Sequence, residues 1–169
     1  MKNTKQLTQC ALLISLALAL SYFERFIPLQ MVVPLPGVKL GLANIVTLAA
    51  LYLLGAKSAL IILVLRCLLG AMFGGGITSL LFSITGGLLA MAVMAAASRI
   101  RIFSIYGVSI LGAAAHNIGQ ICAAMLLMKS IYIAAYLPYL LGVAVFTGLA
   151  TGAAGAGVLR ILASARQNS

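Results

Sequence analysis

The sequence predicts an all-α fold: a polytopic membrane protein with about six transmembrane helices in one bundle and both termini cytoplasmic. Three observations predict it. The chain of 169 residues is 64% hydrophobic and 7% charged, with a mean hydropathy of +1.21. Soluble domains carry about 25% charged residues, so this chain has too little charge to cover a water-facing surface, and most of it must face lipid. Apolar runs recur along the whole length, and six spans of about 20 residues would use about 120 residues. Residues 1–169 therefore read as a single transmembrane domain with short loops. Finally, the basic residues fall unevenly at the ends of the runs.

The first span runs from about Leu7 to Ile27 and ends in Glu24-Arg25-Phe26-Ile27-Pro28. Lys2 and Lys5 precede it as in a signal peptide, but the run is long enough to span and more apolar segments follow, so it reads as a retained helix. Pro28 to Pro36 holds three prolines and predicts an irregular or extended loop. The second span covers about Gly37 to Gly55, followed by a tight turn at Gly55-Ala56-Lys57-Ser58. The third, about Ser58 to Phe73, is short, contains Arg66 and is broken by Gly74-Gly75-Gly76. The fourth covers about Ile77 to Ser98 and the fifth Ile105 to Met128. The stretch from Tyr132 to Ala163 is too long for one straight span, so the sixth helix is placed to start near Pro138, because proline is tolerated in a first turn. Tyr132, Tyr136 and Tyr139 then fall at the membrane interface.

With the N-terminus inside, the cytoplasmic ends carry Lys2, Lys5, Lys57, Arg99, Arg101, Arg160 and Arg166, and the outer ends carry Arg25, Lys39 and Lys129. Seven against three places both termini in the cytoplasm of a multi-pass cell-membrane protein. The charges are spread singly between apolar runs and form no basic stripe, which argues against nucleic acid as a partner. Cys10, Cys67 and Cys122 lack metal-ligand and CxxC spacing, so no metal site is expected from them.

Small residues at spacing four let membrane helices approach closely. Ala11, Ser15 and Ala19 form one such stripe in the first span, and Ala144, Gly148, Gly152 and Ala156 form another in the sixth. Each serves either packing within the bundle or docking of another membrane subunit.

Three clusters could bind a ligand. Arg66 lies inside a span, where a charge costs at least ~2.5–3.5 kcal/mol on insertion scales and requires a partner or a wet cavity. It either pairs with Glu24, the only acid in the chain, or binds an anion. Lys39 is expected in the first turn of the second helix, where a cation opposes the helix dipole unless an anion binds there. Asn44 and Thr47 follow it on one face. The alternative is a snorkelling lysine and a helix–helix asparagine contact. In the fifth span, His116 and Gln120 share a face at spacing four and Asn117 lies three residues from Gln120. This patch serves either interhelical hydrogen bonds or a ligand. Ser79 and Ser83 are weaker candidates, since hydroxyls can bond their own helix backbone.

Several classes are excluded by what is missing. One acid leaves no carboxylate pair for acid–base catalysis and no cluster for catalytic Mg²⁺, and there is no GxxxxGK[ST] loop for ATP. No enzymatic activity and no cofactor are expected of the chain itself.

PLPGVKLGLANI, the Arg66 span with its glycine-rich exit, and AAAHNIGQ resemble the Gx transporter family, also labelled heptaprenyl diphosphate synthase component I. The likeness covers nearly the whole chain. That family is in turn similar to the substrate-binding S-components of energy-coupling-factor vitamin transporters, six-helix proteins that work with a transmembrane coupling subunit and two ATPases. Ala11-Ser15-Ala19 is a looser version of the alanine docking motif of such proteins. The resemblance implies a membrane transport subunit that captures a small anionic or amphipathic molecule: a vitamin, a flavin or an isoprenoid precursor. Lys39, Asn44, Arg66, His116, Asn117 and Gln120 are its candidate ligand-binding residues. The synthase label implies an alternative, a membrane subunit associated with isoprenoid or quinone synthesis. That subunit would be non-catalytic, because the usual all-trans elongating enzymes need two aspartate-rich motifs and this chain has no Asp. A scaffold for membrane electron transfer is a third reading.

Overall fold

A computed structural model describes residues 2–26 and 39–167, in which helices are joined by short turns and no strand occurs. Helix α1 (Lys2–Phe23) passes into a 3-10 turn at Glu24–Phe26. The expected α-helical run to Ile27 therefore stops earlier, at Phe23. The proline segment from Pro28 to Pro36 and the expected helix start at Gly37 lie outside the described residues.

Helix α2 is Asn44–Leu54, only 11 residues. At 1.5 Å per residue it is about 16 Å long, short of the ~30 Å hydrocarbon core. Lys39 and Leu40 precede it in non-helical backbone, so Lys39 does not occupy a first helical turn. Gly41 explains the correction. Its φ of +84° suits glycine, and a β-carbon there would come within 2.9 Å of Asn44 Nδ2 and 3.1 Å of the His116 ring. The chain thus turns into α2 while pressed against α5.

Gly55, at φ +83°, separates α2 from α3 (Ala56–Gly70). A π-type turn at Ala71–Gly75 follows, in which Phe73 and Gly74 leave helical geometry, and α4 runs over Gly76–Ala97. The break falls where the triple glycine predicts it. The two limbs fold back on each other. A β-carbon on Gly87 would lie 3.1 Å from Leu63 Cδ1, and Met91 shares an apolar cluster with Ala59 and Ile62. Residues about equally far on either side of the turn pack together, as antiparallel limbs require.

Helix α5 (Ile105–Met128) starts at Ser104, whose hydroxyl accepts from Gly107 N at 3.3 Å, and stops at Lys129 in left-handed geometry. A 3-10 segment (Ile131–Tyr136) leads to α6 (Leu137–Gln167), which carries Pro138 in its first turn as expected. Four helical stretches among the described residues are long and apolar enough to cross a membrane: Gln6–Phe23, Ala56–Ala97, Ile105–Met128 and Ile131–Arg160.

Helix α5 packs between α4 and α6, and glycines set its spacing. A β-carbon on Gly119 would come 2.7 Å from Thr85 O and 2.8 Å from Gly86 Cα on α4. One on Gly148 of α6 would come 2.5 Å from Ile110 Cα. With Ala144, Gly148 and Gly152 buried, the α6 stripe serves the chain's own bundle. The α1 stripe has the opposite fate: Ala11, Ser15 and Ala19 are all exposed, and the Ser15 hydroxyl donates to Ala11 O on its own helix. Helix α1 is peripheral, with Ala17 as its buried anchor against Val46, Ala59 and Ile62.

Candidate functional site

The polar residues of five helices and the Lys39–Gly41 segment converge inside this apolar bundle. Glu24, at the end of α1, is buried. Its Oε1 accepts the backbone N–H groups of Gly41 and Leu42, the latter at 3.4 Å. Those groups lie just ahead of α2, where unsatisfied N–H groups and the helix dipole favour a negative charge. An outside anion at this helix start is one of the two readings of the sequence, the other being a snorkelling Lys39 with a helix–helix Asn44 contact. In the structure the protein's own Glu24 carboxylate takes these N–H groups.

Arg66 projects from α3 and is buried. Its Nη2 donates to Asn44 Oδ1 at 3.2 Å, while its Nε is buried without a partner. The hydrogen bond that answers Arg66 therefore comes from the first residue of α2, and the Glu24 carboxylate is engaged by backbone. Glu24 nonetheless lies within electrostatic range of both Arg66 and Lys39.

Lys39 reaches into α4. Its Nζ donates to Ser79 Oγ at 2.8 Å and Ser83 Oγ at 3.1 Å. Its backbone N–H donates to Gln120 Oε1 at 3.3 Å. That bond orients the Gln120 amide, whose Nε2 then donates to His116 Nε2 at 2.9 Å. His116 accepts through Nε2 and so carries its proton on Nδ1, an assignment inferred from the hydrogen-bond network. Nδ1 is buried against the Gly86 backbone without a well-formed hydrogen bond, as is Thr47 Oγ1 elsewhere in the core.

A cavity of about 10 Å³ lies among Ser21, Lys39, Arg66, Cys67, Gly70, Ala71, Ser79 and Ser83. That is room for about one water. Of the six sequence-derived candidates, Lys39 and Arg66 line it. Asn44, His116 and Gln120 surround it at one remove through the bonds described. Asn117 is drawn elsewhere: its Nδ2 donates to Leu140 O at 2.7 Å and ties α5 to the start of α6. Ser79 and Ser83, the weaker candidates, hold the lysine head, and their spacing of four on α4 is the signal that places them on one face. Ser21 and Cys67 carry no sequence signal beyond lying in apolar runs.

Chemically, the arrangement gathers two cations and one carboxylate among neutral donors in a low-dielectric interior. Guanidinium and ammonium groups here can answer an anion. The described residues contain no group of three or more His, Cys, Asp or Glu side chains that could hold a metal.

An apolar helical bundle with a buried, cation-rich polar centre defines a helical membrane protein. The family model for heptaprenyl diphosphate synthase component I matches residues 13–158, and the chain belongs to that family. No curated protein and no solved structure matches it.

Proposed function

We propose that this protein is an S-component-like, substrate-binding subunit of a membrane transport system, itself non-catalytic, which captures a small anionic or amphipathic molecule. In this reading it crosses the cell membrane six times with both termini in the cytoplasm, the short α2 completing its crossing together with the non-helical residues 39–43 ahead of it. The observation that carries the reading is the shared cavity of Arg66 and Lys39, with Arg66 Nε buried and unpartnered beside it. A buried charge at mid-membrane is costly and marks a substrate or ion pathway, and two cations against one carboxylate leave a positive excess for an anion to answer. The antiparallel packing of α3 on α4 supports counting them as separate crossings. The exposed Ala11, Ser15 and Ala19 offer a face for a transmembrane coupling subunit, through which ATPases would supply energy.

The test is ligand retention. The full chain is purified in nanodiscs and examined by native mass spectrometry, beside Arg66→Leu. Capture predicts a small anionic or amphipathic molecule bound to the wild type and lost in the variant.

The family description favours a second reading, a non-catalytic membrane partner of isoprenoid or quinone synthesis. Co-purification of a soluble prenyltransferase, with no small molecule dependent on Arg66, would favour it over capture.

A further inference from the structure

The turn between α4 and α5 reads Ser98-Arg99-Ile100-Arg101-Ile102-Phe103-Ser104 and takes no part in the polar centre. Hydrogen bonds close its backbone: the N–H groups of Arg99, Ile100 and Phe103 donate to Ala96 O at 3.2 Å, Ala97 O at 3.0 Å and Ile100 O at 3.1 Å. Phe103 rests on the first turn of α5, where a β-carbon on Gly107 would come 3.3 Å from its Cδ1. Between these anchors Arg99, Ile100, Arg101 and Ile102 are all exposed, Ile102 to 89%. A closed backbone thus presents two cations interleaved with two aliphatic side chains.

We infer that this turn is a binding site for an anionic phospholipid, with the headgroup phosphate on Arg99 and Arg101 and with Ile100 and Ile102 against the upper part of the acyl chains. The inference rests on α4 and α5 crossing the bilayer and is independent of what the protein captures. Three observations carry it. The first is depth. Helices of 22 and 24 residues are about 33 and 36 Å long, against a hydrocarbon core of ~30 Å, so their ends reach the headgroup layer. A turn confined to residues 98–104 and folded back by its own hydrogen bonds stays at that depth. Tyr106, in the first turn of α5, is of the residue type enriched there. The second is charge. Glu24 is the only Asp or Glu of the chain, and it is buried at the end of α1 on the N–H groups of Gly41 and Leu42. Among the described residues no hydrogen bond or ion pair holds the guanidinium of Arg99 or Arg101. Two planar forks are thus open to phosphate oxygens. The third is the interleaving. A soluble anion would leave Ile100 and Ile102 in water, whereas the headgroup layer sets phosphates beside acyl chains and answers both kinds of side chain. An acidic protein would have to enter that layer to reach them.

The chain has no tryptophan, so Ile102→Trp places a single fluorophore at the turn. The full chain carrying it is reconstituted in phosphatidylcholine vesicles that contain either brominated phosphatidylglycerol or brominated phosphatidylcholine, and quenching gives the relative affinity of the two lipids. Tryptophan itself favours the interface, so the readout is the preference between lipids and not insertion as such. Phosphatidylglycerol should be preferred by at least about fivefold, the effect of one cation near an anionic surface. With Arg99→Gln and Arg101→Gln added, the preference should fall to within about twofold, and in the parent it should shrink as salt is raised. Phe146→Trp, on an exposed face of α6, should show a preference of less than about twofold. The substituted residues are all exposed, so the variants keep the packed core. Equal quenching of Ile102→Trp by both lipids, or a preference that survives loss of both arginines, would overturn the site. The same preference at Phe146→Trp would overturn it too, because the net charge of +10 would then be gathering anionic lipid everywhere. No quenching by either lipid would place the turn in water, overturn the lipid site and leave the two arginines to an acidic protein.

Discussion

Arg66 on α3 donates to the side-chain oxygen of Asn44, the first residue of α2, at 3.2 Å. The bond joins a buried charge to a short helix and ties both to the segment that carries Lys39.

This pairing predicts coupled effects. Hydrogen bonds to charged groups contribute about 1.5–3 kcal/mol. Asn44→Leu should therefore lower stability by a figure in that range and also weaken anion binding, because Arg66 loses the group that orients it. In a double-mutant cycle with Arg66→Leu, measured by thermal unfolding in detergent, the two changes should be clearly non-additive. Simple additivity would mean that the pair is incidental.

Glu24 holds the entry to α2. Glu24→Ala leaves the N–H groups of Gly41 and Leu42 without their acceptor, and an unsatisfied buried group costs about 1–3 kcal/mol. Glu24→Gln keeps an oxygen there and should cost less. It should also tighten phosphate binding, since the carboxylate that offsets Lys39 and Arg66 is gone. Melting temperatures and phosphate titrations of the two variants check this. Equal destabilisation by both would show that the charge, and not the hydrogen bonding, anchors the turn.

The six-crossing topology is open to labelling in intact cells. In a background lacking Cys10, Cys67 and Cys122, an impermeant thiol reagent should label Met72→Cys, at the exposed turn between α3 and α4. It should not reach Asn3→Cys, Ile102→Cys or Asn168→Cys. Labelling of either terminal position from outside, or protection at Met72, would overturn the arrangement.

The two small-residue stripes should respond oppositely. Gly148→Ala drives a β-carbon to 2.5 Å from Ile110 Cα and should cost about 1–3 kcal/mol by overpacking. Gly142→Ala, in the same helix with nothing within 4 Å, should be neutral or stabilising by up to about 1 kcal/mol. Ser15→Leu lies on an exposed face and should leave unfolding of the isolated chain unchanged while reducing co-purification of a membrane partner. Loss of stability in Ser15→Leu would assign that face to the chain's own fold.

Composition and periodicity were enough for the all-helical membrane class, the break at Gly74, the limits of α5 and the start of α6 beside Pro138. These features follow from local chemistry: apolar runs, glycine's tolerance of left-handed backbone, and the missing N–H of proline. Arg66 and Lys39 were legible as candidates for a similar reason, since an isolated charge in an apolar run must be answered somewhere. Only the tertiary structure decided what answers it. Lys39 looks helical by position, yet Glu24 takes the N–H groups of Gly41 and Leu42, and the α-helix starts only at Asn44. Asn117 shares a helical neighbourhood with His116 and Gln120, yet the carbonyl of Leu140 draws its amide to α6. The stripes on α1 and α6 have the same four-residue spacing, but one faces outward and the other packs on α5. Small residues at that spacing permit close approach without specifying a partner. The partner is set by how residues distant in the chain pack, which no local pattern records.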